Sequence, residues 1–419
     1  MSDRKKILIL TPGELPVPAA KGGAVETLIT SLLQENERAG VFQMDVFSIA
    51  DPRNQKLEGR YYKILPVNMP GRLKILDRLS CRIRGLFIPA WKLPFYRNFH
   101  KKKYYAAEIL RHLKRCSYDW IVVENNMSLL PAVYRALGEE TFRSICVYHM
   151  HSVLIDNPAA LPYLSRCRRI LSVSHFVADT VRKEYKELAK TEFCVVKNGV
   201  SRTCFGMEQA PADREKFKET LRKNRKKELG IAKGEYVFLY SGRLSIEKGV
   251  RELLEAFGRL QGKVCLVLAG GSYSGSLERS GYEKGLRKFA RDKKLRVIFA
   301  GFVPNKEMAS YYGMADVLVI PSVVGEAGPL TALEALTAGI PVLSARIGAL
   351  PEYLGEYAAY AEPGEHFVEE LARKMQEFYD RRLSAGRASA GQEARQEKAQ
   401  EDQEIDENSF YRRFVKALR

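Results

Sequence analysis

Two carboxylates, Glu326 and Glu334, stand eight residues apart in the stretch 325–342, GEAGPLTALEALTAGIPV. Glu326 falls in a glycine-bearing loop after the apolar run 315–321, and Glu334 about one turn inside a stretch of good helix formers. Pro329 suits the first helical position, where its missing N–H costs nothing, and Gly339 is the expected stop. At such a helix start the N–H groups of Leu330 and Thr331 have no intrahelical partner, so an anion site forms with an acid on either side. A ligand with phosphates at its middle and hydroxyls at both ends, such as a nucleotide-sugar, fits that layout. Spacing alone fits a solvated loop acid and a surface helix acid equally well.

Further candidates gather where apolar runs end. Residues 144–151 read as a strand finishing in Tyr148-His149-Met150-His151, and 120–124 as a strand running into Glu124-Asn125-Asn126. Ser241-Gly242-Arg243 closes another run, and Lys248-Gly249 opens the helix behind it. Polar groups at successive strand C-ends line one face of a parallel sheet, where such folds bind ligands. Gly22-Gly23 ends a long loop between a first strand, 6–11, and a helix over 24–38. That is the start of a doubly wound α/β unit, but it lacks the G-x-G-x-x-G of a nicotinamide dinucleotide site. The seven cysteines, odd in number and without C-x-x-C spacing, argue against a zinc site or disulfide framework and fit a reducing cytoplasm.

These residues need two scaffolds, because 419 residues exceed one ordinary core and two domains of about 180–200 residues are expected. The first alternation has strands at 6–11, 41–49, 120–124, 144–151, 169–175 and 193–200. Residues 209–234 are charged and read as the connection. The second has strands at 236–241, 264–269, 297–300, 317–321 and 342–345, with helices over 250–261 and 306–314. The expected domains are therefore 1–205 and 206–385. A polar segment and final helix, 386–419, follow; Phe410, Tyr411, Phe414, Val415 and Leu418 give that helix an apolar side suited to packing back on the first domain. With 46% hydrophobic and 28% charged residues, and no run of eighteen apolar residues, a soluble cytoplasmic protein is expected. The short apolar run at the start reads as a strand rather than a signal peptide.

The net charge of +18 is lopsided, with +13 of it in residues 1–200. Between Arg60 and Arg115 lie 15 basic residues and only two acids, Asp77 and Glu108. Leu73, Ile75, Leu76, Leu79 and Ile83 are interleaved with arginines there, and Trp91, Phe95, Tyr96 and Phe99 follow. This mixture suits peripheral contact of residues 71–115 with an anionic membrane. The alternatives are a helix that packs its apolar face on its own domain, and a nucleic-acid patch; nucleic acid is not the expected partner.

Assembled, the motifs resemble the retaining glycosyltransferases of family four, glycosyl transferases group 1. Four matches carry the resemblance: Asn198-Gly199-Val200; SGRLSIEKG over 241–249; the Glu326/Glu334 pair with ALTAGIPV behind it; and Gly348-x-x-Pro351-Glu352. It covers nearly the whole chain, most strongly 198–352 and weakly 50–120. It implies an α/β fold of the GT-B type, two facing Rossmann-like domains with parallel sheets and an interdomain cleft. The first domain would bind the acceptor and the second the nucleoside-diphosphate sugar.

The resemblance also implies roles. Arg243 and Lys248 would hold the diphosphate and neutralise it as it leaves. Glu334 would accept from the ribose hydroxyls and Glu326 from the transferred sugar. Gly328 and Leu330 would share phosphate and sugar contacts, and Asn198, Gly242, Gly271, Ala327 and Pro329 would complete the donor site. Gly22 and Gly23 would let backbone approach the β-phosphate and acceptor. A sugar-facing histidine is expected at a strand end of the first domain, where His151 is preferred and His149 is second choice. Ala327-Gly328 departs from the aromatic or glycine usual just after the first glutamate. The implied catalytic set is His151, Glu326, Arg243 and Lys248, acting with retention, with no cofactor and no metal, since no Asp-x-Asp is evident. The expected donor is a UDP-hexose or UDP-N-acetylhexosamine, and the expected acceptor a glycan or lipid-linked molecule of cell-surface polysaccharide synthesis. A GT-B sugar-nucleotide epimerase and a non-catalytic nucleotide-sugar-binding subunit are the alternatives.

Overall fold

Runs such as Ile7-Leu8-Ile9-Leu10 and Val237-Phe238-Leu239 are apolar on both faces, which suits only strands covered on both sides. In the computed structural model, which describes residues 4–54, 57–84, 98–153, 157–202, 205, 211–271, 280–385 and 405–419, these runs are fully buried. Contacts divide the chain into two units, Met1–Lys197 with Tyr411–Arg419, and Asn198–Phe410.

The first unit carries a seven-stranded sheet. Its strands are β1 (Lys6–Leu10), β2 (Gln43–Ile49), β3 (Tyr62–Val67), β4 (Trp120–Glu124), β5 (Cys146–Met150), β6 (Arg169–Ser172) and β7 (Phe193–Val195), in the order β3-β2-β1-β4-β5-β6-β7. Every pairing is parallel, so all strand C-ends lie along one edge. The second unit has β8 (Tyr236–Ser241), β9 (Val264–Ala269), β10 (Val297–Gly301), β11 (Val317–Ile320), β12 (Val342–Ala345) and β13 (Ala358–Ala361), ordered β10-β9-β8-β11-β12-β13 and again parallel. Phe238, Leu266, Val319, Leu343 and Leu371 share its core. Strand order reverses beside β1 in one sheet and beside β8 in the other, and such switch points are where open α/β sheets hold ligands.

Three segments differ from the sequence reading or extend it. The charged stretch expected as a connection contains an 18-residue helix, Pro211–Glu228. It has no glycine or internal proline to break it, and its basic side chains find acids in its own unit: Arg222 bonds Asp316 at 2.6 Å and Arg225 reaches Glu307 at 3.5 Å. In the basic region the helices Gly71–Arg84 and Phe99–Leu113 flank residues 85–97, so Trp91, Phe95 and Tyr96 lie outside the described residues. The first of these helices buries Asp77, whose carboxylate accepts from His100 N at 2.7 Å, and leaves Ile75, Leu76, Leu79 and Ile83 between 43% and 67% exposed. These four side chains are therefore exposed rather than packed on the described residues of their own unit. Of the final helix, Glu407–Ala417, and the residues after it, Phe414 and Leu418 are fully buried within the first unit, and Tyr411 Oη donates to Asn36 Oδ1 at 2.8 Å. The polar segment before it lies outside the described residues over 386–404.

Candidate functional site

In the second unit three loops meet at the ends of β8, β11 and β12. After β8 the chain passes Gly242 and Arg243, makes a short turn over Ile246–Lys248, and starts the helix Val250–Phe257 from Gly249. Gly249 has φ 65°, and a Cβ there would lie 1.8 Å from Pro321 O, so only glycine lets this turn press against the end of β11. From the other side Val323 N and Val324 N donate to Glu247 O at 3.1 and 3.3 Å. The loop after β12 joins in through Ala349 N, which donates to Glu326 O at 2.7 Å.

The helix behind the loop after β11 spans Leu330–Ala338, with Pro329 as its N-cap at φ −74°, ψ 103°. Pro329 thus stands one residue before the first helical position expected for it; its fixed φ suits both, and the extended ψ sets the cap. Ala332 N and Leu333 N bond back to Pro329 O, and the N–H groups of Leu330 and Thr331 stand at the helix start as donors without an intrahelical partner.

The side chains implied as ligands are gathered here and hold one another. Lys248 Nζ bonds Glu326 Oε1 at 2.5 Å, and Ser322 Oγ donates to the same oxygen at 2.6 Å. Arg243, largely exposed, reaches Glu247 Oε1 at 3.4 Å, while Tyr240 Oη donates to the Arg243 carbonyl at 2.5 Å. Glu334 accepts from Tyr312 Oη at 2.6 Å; burial pushes its carboxyl up to about 7 against the opposing pull of that hydrogen bond. Asn198 is buried and its amide donates to Gly328 O at 2.9 Å, so it fastens the loop from beneath. Gly271 accepts from Leu244 N at 3.0 Å, tying the loops after β8 and β9 together. Gly242, Ala327, Gly328, Pro329 and Leu330 lie on these same loops.

The first unit holds the remaining candidates, Gly22, Gly23 and His151. Gly22 and Gly23 have φ 73° and 104° before the helix Ala24–Ala39. A Cβ on Gly23 would lie 2.2 Å from Glu26 Oε2. Glu26 is buried under this turn, and chiefly for that reason its carboxyl is raised to about 7, with the charges of Glu14 and Glu124 adding to the effect.

His151 is one of three groups on one carboxylate. The parallel register sets Glu124 of β4 opposite His149 of β5. His149 Nδ1 lies 3.1 Å from Glu124 Oε2, and His151 Nε2 lies 2.8 Å from the same oxygen. Burial opposes the charge on Glu124, but the electrostatic pull of His149 and the hydrogen bonds from both rings outweigh it and hold the carboxylate down at about 2. Burial and then the neighbouring His149 depress His151, so it is neutral at neutral pH despite the carboxylate. The ligating atoms of Glu124, His149 and His151 lie within 4.8 Å of one another and could together hold a cation.

Sequence reasoning noted the polar end of β4 but assigned no role to Glu124, and did not single out Tyr312, Ser322 or Glu26. The signal for Glu124 was present in the pairing of two adjacent strand ends, Glu124-Asn125-Asn126 and His149-Met150-His151. It becomes legible once β4 and β5 are taken as parallel neighbours.

Comparison with known proteins covers both units. Residues 22–203 match the family model Glycosyltransferase Family 4, and residues 222–397 match Glycosyl transferases group 1. The chain is 30% identical over 243 residues to the lipopolysaccharide 1,2-N-acetylglucosaminetransferase of Salmonella typhimurium, a match spanning 56% of each protein, so it spans just over half the length of that relative. It is 24% identical over 360 residues to spore coat protein SA of Bacillus subtilis, covering 84% of this chain and 83% of the other. The solved structure of Anabaena Alr3699/HepE in complex with UDP-glucose superposes with a TM-score of 0.71 at 19% identity, covering 99% of each chain.

Proposed function

Because the chain belongs to the glycosyltransferases of family 4, group 1, with the GT-B fold, we propose that it moves a sugar from a nucleoside-diphosphate sugar to a glycan or lipid-linked acceptor in cell-surface polysaccharide synthesis. The donor is a UDP-hexose or UDP-N-acetylhexosamine, and the anomeric configuration is retained. The Salmonella relative transfers N-acetylglucosamine in lipopolysaccharide, and the Anabaena neighbour holds UDP-glucose; both support this donor class.

The observation that carries the reading is the pairing of Lys248 with Glu326 beside the open helix start at Leu330. The diphosphate draws Lys248 and Arg243 from their acids and takes the N–H groups at the helix start. Glu326, released from Lys248, accepts from hydroxyls of the transferred sugar, and Glu334 accepts from the ribose. Both cations then sit where negative charge develops as the glycosidic bond to phosphate breaks, so no metal is required for that task. His151 is read as the sugar-facing histidine, and the leaving phosphate takes the proton of the attacking acceptor hydroxyl.

The acceptor side works at the inner face of the cytoplasmic membrane. The basic helix Gly71–Arg84, with its four exposed aliphatic side chains, supports this contact. Among the described residues no helix is long and apolar enough to cross a membrane.

The test is a thermal-shift and product screen with purified protein across nucleoside diphosphates and their sugars. UDP and one or more UDP-sugars should stabilise it. If none does, and Arg243→Ala and Glu334→Ala change neither binding nor turnover, the transferase reading fails.

A further inference from the structure

Glu124 is a buried carboxylate that the reaction outlined above does not use, and its surroundings are built to hold it still. It is 1% exposed, at the last position of β4, with two imidazoles on it. The two residues after it serve the same purpose. Asn125 adopts φ 42°, a left-handed conformation unusual for a residue other than glycine. In that conformation its backbone N–H donates to His149 O and its side-chain oxygen accepts from His151 N, both at 2.9 Å. Asn126 then caps the next turn by accepting from Ser128 N, while its amide holds Pro12 O at 2.9 Å, on the loop that leads to Gly22. Strain at one residue and its two directed hydrogen bonds fix the backbone on which His151 stands, and two more anchor Asn126 beside it.

The rings are fixed as well. An ionised carboxylate only accepts, so each imidazole nitrogen facing it carries the proton. His149 therefore presents Nδ1–H to Glu124, and its Nε2, buried against Phe414 with ring centroids 6.4 Å apart, has no partner among the described residues. His151 presents Nε2–H to Glu124, which leaves its Nδ1 bare. The two rings lie 4.2 Å apart between centroids and are tilted by 50°, so His149 packs against His151 beside the carboxylate they share.

We infer that Glu124 is a positioning residue that locks His151 in the Nε2–H tautomer, so that its Nδ1 accepts a hydrogen bond from a hydroxyl of the transferred sugar. This rests on the reading of His151 as the sugar-facing histidine. It assigns the polarity of that contact: a hydroxyl of the substrate donates, and a deoxy or methoxy group in its place is rejected. With Glu124 neutral or absent the ring is free to turn its proton toward the sugar and lose the acceptor.

The experiment uses the full chain labelled with 15N-histidine, whose six histidines are sorted by removing one at a time. Two-bond proton–nitrogen correlation at neutral pH should show His151 with a protonated Nε2 and a bare Nδ1. In Glu124→Gln the amide also offers a donor, and this pattern should be lost. The same variant should lose about a hundredfold in kcat while the affinity for UDP, held in the second unit, stays unchanged. Glu124→Asp, which keeps the charge on a shorter arm, should recover part of that loss. The inference is overturned if wild-type His151 carries its proton on Nδ1. It is also overturned if Glu124→Gln leaves tautomer and kcat alike, or if zinc co-purifies stoichiometrically and is lost from Glu124→Gln. A failed fold of Glu124→Gln leaves the wild-type tautomer measurement to decide. If the tautomer is as stated but His151→Ala turns over like wild type, the sugar contact is overturned and the positioning of the ring stands. A tautomer as stated in a chain that uses no nucleotide-sugar sinks the proposed activity instead.

Discussion

Lys248 Nζ and Glu326 Oε1 are 2.5 Å apart, so the cation assigned to the diphosphate and the acid assigned to the sugar neutralise each other. The pair keeps two charges satisfied in a partly buried loop, and it makes donor binding an exchange of partners rather than a new desolvation. Lys248→Ala removes one charge-assisted contact and should weaken UDP binding by roughly tenfold to a hundredfold. Glu326→Gln frees Lys248, so UDP should bind no more weakly than to wild type while kcat falls about a hundredfold. Calorimetry with UDP alongside turnover separates the two. Parallel losses in Glu326→Gln would mean that the acid only braces the lysine.

Glu334 gives a pH dependence of definite sign. Its carboxyl is raised to about 7 by burial, so in the folded protein it is protonated below that pH and ionised above it. A carboxylate accepts from both ribose hydroxyls and a carboxylic acid does so poorly, so UDP affinity should rise as pH increases through 7. Glu334→Gln should flatten that rise. Stability runs the other way: a raised acid favours the folded state at low pH and loses that advantage between its unfolded value near 4.5 and about 7. The melting temperature of Glu334→Gln should therefore gain on wild type as pH rises from 5 to 8. An equal difference at every pH in that range would contradict the burial-driven shift.

The turn at Gly249 tests how tightly the loops are interlocked. Gly249→Ala meets both a positive φ and the Pro321 carbonyl, so it should destabilise the fold by more than ~2 kcal/mol and lower UDP affinity with it. Gly281→Ala, at a helix start in the same unit with open space around it, is the control and should be neutral or slightly stabilising. Denaturant melts of the two variants make the comparison.

The parts of the molecule legible in the sequence are those whose signal is local. Ile7–Leu10 and Val237–Leu239 declare buried strands because nothing polar interrupts them, and Gly339 ends its helix in the left-handed conformation expected of it. Glu326 and Glu334 were singled out by their spacing, and the structure adds what spacing omits, namely that Lys248 and Ser322 hold the first and Tyr312 the second. Pro211–Glu228 was passed over because its helical face pairs charge with Asp316 and Glu307, about ninety residues away, and shows no clear apolar period. Glu124 was passed over for a related reason. One acid at a strand end carries no pattern, and its meaning depends on the neighbouring strand's register.

The last prediction concerns the helix Gly71–Arg84. Ile75, Leu76, Leu79 and Ile83 fall within about 100° of one another around it, and Asp77 on the opposite side is the residue that ties it to its own unit. Arg78 and Arg82 adjoin one edge of the apolar arc, so the helix can lie with its aliphatic face among acyl chains and these guanidinium groups at headgroup phosphates. Burying one such aliphatic side chain is worth about 1.5–3 kcal/mol and each arginine near an anionic surface about 1 kcal/mol. Together these are enough for reversible attachment. The protein should co-sediment with phosphatidylglycerol-containing vesicles and much less with phosphatidylcholine alone. The triple change Ile75→Ser, Leu79→Ser, Ile83→Ser should abolish binding even at low salt. Neutralising Arg78, Arg82 and Lys101–Lys103 should leave weak, salt-insensitive binding. If the vesicle preference survives loss of the cations, charge has no part in the attachment. If it survives loss of the aliphatic side chains, this helix is not the contact.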